Sequence, residues 1–173
     1  AYFKDQLEAS AWNGLQVALA DPTLAADFDR LLATSEFFRD QFIRHRDWAL
    51  TELEAGRLFR CSDLEGESWE DALSQLVLDN ASEDAVMSAL RVFRNRQMLK
   101  IVAGELSGRV TLSETFQALT QLADITIQFS VRWSTAKLSQ RFGHAVGEWS
   151  GEPQELVVLG MGKLGGGELN LSS

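Results

Sequence analysis

At 173 residues the chain is long enough for one domain with its own hydrophobic core, or for one domain and the first piece of another. A net charge of −9 excludes a general affinity for nucleic acid, which draws on an excess of Lys and Arg. Hydrophobic residues make up 45% of the chain but fall at helical spacing, with no uncharged run long enough to cross a membrane and no secretory signal, so a soluble, cytoplasmic protein is expected.

The chain starts at Ala1 and not at Met, as a fragment would. Residues 3–20 place Leu7, Ala11, Leu15, Ala18 and Leu19 at three- and four-residue steps, which predicts a first amphipathic helix. Asp21 then Pro22 restarts the helix as N-cap and first position, with Leu24, Phe28, Leu31 and Leu32 on its buried face. Ser35 caps a third helix carrying Phe38, Phe42 and Ile43, and a fourth around residues 48–55 stops at Gly56. Residues 56–67 read as a polar loop.

Ser68 and Asp71 resemble a capping box opening a helix with Trp69, Leu73, Leu76 and Val77, and Asn80 marks its stop. Ser82 starts a longer helix to about Leu106, with Val86, Ala89, Leu90, Phe93 and Ile101 on one face and Gly108 at its end. Thr111 and Glu114 form the clearest capping box, and no breaker follows until Gly143, which predicts one helix of roughly 45 Å. It carries two apolar stripes, Phe116, Leu119, Ala123, Ile127 and Leu138, and Leu122, Ile125, Phe129 and Trp133. That pattern predicts a central helix packed on more than one side.

Gly143, Gly147, Gly151 and Pro153 punctuate a polar stretch that reads as a linker, giving a helical region over residues 1–150 and a second unit over 151–173. In the second unit a run of strand formers, residues 156–159, enters five glycines: Gly160, Gly162, Gly165, Gly166 and Gly167. Such a turn after a strand brings backbone amides up to a phosphate. Residues 160–165 match G-x-G-x-x-G, the dinucleotide fingerprint of an oxidoreductase, yet three consecutive glycines are poor material for the helix that fold requires. A Walker A loop fails because Leu164 follows Lys163, and a kinase glycine loop fails because Gly167 stands where a valine belongs. A purely structural turn on a helical protein-binding module stays open.

The string GMGKLGGGELNLSS, residues 160–173, closely resembles the signature of the bifunctional glutamine synthetase adenylyltransferase/adenylyl-removing enzymes. SEFFRDQFIRHRDWALTELE and LRVFRNRQMLKIV resemble the helical region that precedes the first nucleotidyltransferase domain of those two-domain proteins, and the ELNLSS ending favours the N-terminal, adenylyl-removing half. The resemblance implies a mainly α fragment, a helical bundle leading into the first strand and glycine turn of an α+β, DNA polymerase beta-like nucleotidyltransferase domain. It implies phosphorolytic removal of AMP from a tyrosine of glutamine synthetase, with ATP, ADP and phosphate as substrates or products and the PII signal protein as a second partner. Gly162-Lys163 takes the place of the superfamily's Gly-Ser. Phosphate or nucleotide contacts fall to Gly160, Gly162, Lys163, Gly165, Gly166, Gly167, Ser172 and Ser173. The family's Asp-x-Asp pair, which holds two Mg²⁺, is expected just after Ser173, so no catalytic residue or metal ligand is assigned within the chain and the fragment alone is expected to be inactive.

The remaining candidates read as structural. Cys61 is a small loop residue, and with His45 and His144 on the surface there are too few ligands for a Cys/His metal site. Glu168 is a hydrogen-bond partner of the loop and not a base. The five tryptophans suit core anchors. Arg91, Arg94, Arg96 and Lys100 flank an apolar stripe, which reads as salt bridging to surface carboxylates, with contact to a phosphate or a protein substrate as the sharper alternative.

Overall fold

Short polar side chains set where the helices begin. The computed structural model describes residues 8–61, 68–78 and 81–172. In it the chain forms α1 (Ala9–Ala18), α2 (Pro22–Thr34), α3 (Glu36–Arg44), α4 (Arg46–Glu54), α5 (Trp69–Leu76), α6 (Glu83–Ser107), α7 (Leu112–Phe142) and the single turn α8 (Gly162–Gly165). Asp21, Ser35, Ser68, Ser82 and Thr111 each accept a hydrogen bond from an amide two or three residues on, as their spacing predicts. Only the Thr111 cap is a full reciprocal box, with Glu114 Oε2 accepting from the Thr111 amide at 2.6 Å. At Ser68 the Asp71 carboxylate accepts from the hydroxyl instead. The predicted stop at Asn80 and the start of the first helix lie outside the described residues.

The helix at the centre is α6, not α7. It packs on α2, α3, α5 and α7, and the stretch from Leu99 to Gly104 is buried on every face. α7 buries only its first half, through residues such as Ala118, Leu119, Leu122 and Ile125. Its apolar pattern continues to Phe142, which is 71% exposed, because no described element covers that end. Apolar spacing shows which face a helix offers and not whether anything meets it.

Two apolar clusters flank α6. In the first, Phe28 packs edge-on against Phe38 and Phe42 at ring separations of 5.5 and 5.1 Å. In the second, Trp69 packs edge-on against Phe93 at 6.4 Å, beside Leu119, Leu122 and Ile125. Leu58, Phe59 and Cys61 are also buried, although their segment reads as a polar loop. Trp69 is the one tryptophan among the described residues that is fully buried, and Trp149 is 97% exposed, so the tryptophans are not uniformly core anchors.

The basic cluster is divided. Lys100 is 5% exposed and its Nζ lies 3.3 Å from Glu52, itself 7% exposed, while Arg57 donates to the same carboxylate. Burial alone would raise the Glu52 carboxyl, but the Arg57 hydrogen bond and the Lys100 charge outweigh it and leave the group below its ordinary value. Arg96 lies over the Trp48 ring, 5.3 Å from its centroid. His45, expected on the surface, is half-buried where α3 meets α4, and burial followed by the charges of Arg96 and Arg44 lowers its pKa. His144 is exposed, as expected.

Residues 156–159 form no strand. Their backbone has no ladder partner among the described residues, and Leu156, Val157, Val158 and Leu159 are between 51% and 81% exposed. A strand needs a second backbone beside it, and the described chain supplies none there. A tight turn joins α7 to this run, with an isolated antiparallel bridge between Val146 and Pro153.

Lys100→Met should cost about 3 kcal/mol in urea denaturation, because Glu52 stays buried and loses one of its cations. His45 has a folded pKa below its ordinary 6.5, so its neutral form is favoured in the native state. Stability from that site should be complete above pH 6.5 and fall as the pH drops below it, and His45→Gln should flatten that part of the profile.

Candidate functional site

The glycine stretch folds into one helical turn closed by a Schellman motif. Residue 167 takes a left-handed backbone with φ +68°, which suits glycine; its amide donates to Leu164 O at 3.2 Å, and the Glu168 amide donates to Lys163 O at 2.8 Å. Glu168 therefore serves the loop through its backbone, with its carboxylate in solvent. A Cβ on Gly165 would lie 2.5 Å from the carbonyl oxygen of Gly160, so the two backbones touch where only glycine fits. Gly162 starts this turn and Gly166 caps its end, with Gly160 just before the Met161 N-cap. A single turn closed in this way is not the long helix that a dinucleotide fingerprint opens.

The chain leaving the turn sits on the helices. Leu169 packs on the second apolar cluster and Leu171 on both, while Asn170 and Ser172, the alternate positions, carry polar groups. Asn170 organises these groups: its Oδ1 accepts from the Ser172 amide at 3.2 Å and hydroxyl at 2.8 Å, and Lys163 Nζ lies 3.5 Å from it. Lys163 and Ser172 are thus brought together, with the five glycines supplying the backbone path between them. Ser173 lies outside the described residues. Asn170 is the member that sequence reasoning left out of the site, and its signal was the Asn-x-Ser spacing of an Asx turn.

Beside this arrangement lies a cleft of about 300 Å³ between α6, α7 and the segment 169–171. Leu119, Leu122 and Ile127 give it apolar walls, and Arg94 and Asn170 stand at its polar edge. Thr126 also lines it, but its hydroxyl is spent on the carbonyls of Leu122 and Ala123. Cys61 takes no part: burial, with Glu114 and Glu105 nearby, pushes its thiol up to about 12, so it carries no thiolate at neutral pH. Among the described residues no three His, Cys, Asp or Glu side chains are grouped to hold a metal ion.

The family model for glutamate-ammonia ligase adenylyltransferase matches residues 25–173, which takes in both the helical bundle and the glycine turn. The chain belongs to that family. Among its relatives are bifunctional glutamine synthetase adenylyltransferase/adenylyl-removing enzymes. That of Pseudomonas aeruginosa is 42% identical over 147 residues, 85% of this chain and 15% of the relative. That of Pseudomonas putida is 36% identical over 171 residues, 97% of this chain and 16% of the relative. That of Shewanella loihica is 32% identical over 165 residues, 95% of this chain and 17% of the relative. This member of the adenylyltransferase family thus spans about one-sixth of the length of its relatives. No helix among its described residues is long and apolar enough to cross a membrane.

Gly165→Ala should break the contact with Gly160 and open the turn. Amide exchange at residues 166–168 should speed up by about tenfold or more, while the centre of α6 exchanges as before.

Proposed function

We propose that this chain is the helical region and the first part of the nucleotidyl-transfer site of an enzyme that controls glutamine synthetase by reversible adenylylation. The reading rests on one arrangement, the glycine turn whose Lys163 and Ser172 converge on Asn170, in a chain of the adenylyltransferase family. Lys163 offers a mobile point charge and Ser172 a hydroxyl, both suited to phosphoryl oxygens. The ELNLSS ending supports assignment to the adenylyl-removing half, which would release AMP from the modified tyrosine to inorganic phosphate and yield ADP. In that balance the tyrosyl oxygen leaves the adenylyl phosphorus as a phosphate oxygen bonds to it, and the tyrosine regains its proton. The opposite half would use ATP, the PII signal protein would be the second partner, and the compartment would be the cytoplasm. The exposed run 156–159 would be the first strand of the DNA polymerase beta-like nucleotidyltransferase domain.

Magnesium does not fit the residues present. An ammonium, an amide and a hydroxyl converge at the turn, and Glu168 is the one carboxylate on it. The ion's ligands would have to come from the Asp-x-Asp pair of the longer protein, and the 173-residue chain alone should be without activity.

The full-length protein should release ADP from adenylylated glutamine synthetase and phosphate, and Lys163→Ala should lower kcat/KM by about tenfold or more. Binding of glutamine synthetase with no ADP release, in a protein that also adenylylates nothing, would favour a helical docking module with a structural turn. Release of ADP by the isolated chain would contradict the assignment of the carboxylates to the rest of the protein.

A further inference from the structure

Four cations lie on one stretch of α6, and the structure gives them different work. Lys100 is consumed by buried Glu52, Arg96 covers the Trp48 ring, and Arg91 is exposed. Arg94 is the one of the four that lines the cleft beside the glycine turn, where it shares the polar edge with Asn170. Among the described residues no carboxylate pairs with it and no hydrogen bond takes up its guanidinium.

We infer that Arg94 is the contribution of the helical region to the substrate site, a guanidinium that binds phosphoryl oxygens in the cleft between α6 and the segment 169–171 that leaves the glycine turn. The inference rests on the phosphoryl-transfer reading above and adds to it a residue from outside the glycine motif. Asn170 ties the two sides together, because its side chain gathers Ser172 and Lys163 while it lines the cleft with Arg94. A guanidinium presents parallel N–H groups that match two oxygens of a phosphoryl group, whereas Lys163 gives one mobile charge. The phosphoryl group is either free inorganic phosphate or the adenylyl phosphate of the modified protein, and kinetics separates the two.

The test uses the full-length protein with Arg94→Gln, Arg94→Lys and, as a control outside the cleft, Arg91→Gln. Equilibrium dialysis with radiolabelled inorganic phosphate reads binding directly, and initial rates of ADP release read KM for phosphate and for adenylylated glutamine synthetase. Arg94→Gln should raise the Kd or KM for one of these by about tenfold, Arg94→Lys should recover part of the loss, and Arg91→Gln should match the parent. A rise for phosphate alone assigns the free anion, and a rise for the modified protein alone assigns the adenylyl phosphate. Both values within twofold of the parent for Arg94→Gln, with unchanged thermal unfolding, would overturn the inference while the phosphorolytic reading stands. Phosphate binding that depends on Arg94 in a protein with no phosphorolysis would keep the site and overturn the reading.

Discussion

The candidate site depends on where Leu171 goes. This side chain, with Leu169 two positions before it, packs against the apolar clusters on both flanks of α6 and so fixes the exit of the glycine turn on the helical bundle. Between and after these two leucines, Asn170 closes an Asx turn onto Ser172, and there the polar groups converge. Were Leu171 polar, the turn could still close through Gly167, but only Leu169, on the second cluster alone, would hold its exit against the helices. The packing of the helices and the geometry of the site are one problem with two faces.

The same dependence explains why α6 has so little freedom. It is buried all round from Leu99 to Gly104, and the cation in that stretch, Lys100, is held by buried Glu52. An ion pair that deep demands a fixed geometry, because a displacement of either partner leaves a desolvated charge. Arg94, less than two turns earlier on the same helix, inherits that rigidity while its own side chain remains in solvent. A binding group carried on a rigid element is held to position better than one carried on a loop.

Much of the fold was legible in the residues, for local reasons. The caps at Asp21, Ser35, Ser68, Ser82 and Thr111 are decided within four residues of chain, and all five stand where the sequence puts them. The errors are all non-local. Lys100 reads as a surface cation until Glu52, far away in sequence, is brought beside it, and Leu58 and Phe59 read as loop until α6 covers them. The apolar patterns of residues 156–159 and of the end of α7 find no contact among the described residues, since both need a partner that the described chain does not supply. In the site, the glycines and Lys163 were legible from motif alone. Asn170 emerged only when the turn was seen, because it acts through an Asx turn, and Arg94, one of four cations the sequence offered for a phosphate, is set apart from the other three by the cleft it shares with Asn170.

The central claim is that the glycine turn, seated on α6, is a phosphoryl-binding site. Hydrogen exchange of the full-length protein with and without inorganic phosphate tests it most directly, because the readout is local and needs no turnover. The account predicts that added phosphate slows exchange at the amides of residues 162–168 and leaves α1 and α2 unchanged. Equal exchange across residues 162–168 at saturating phosphate would contradict it.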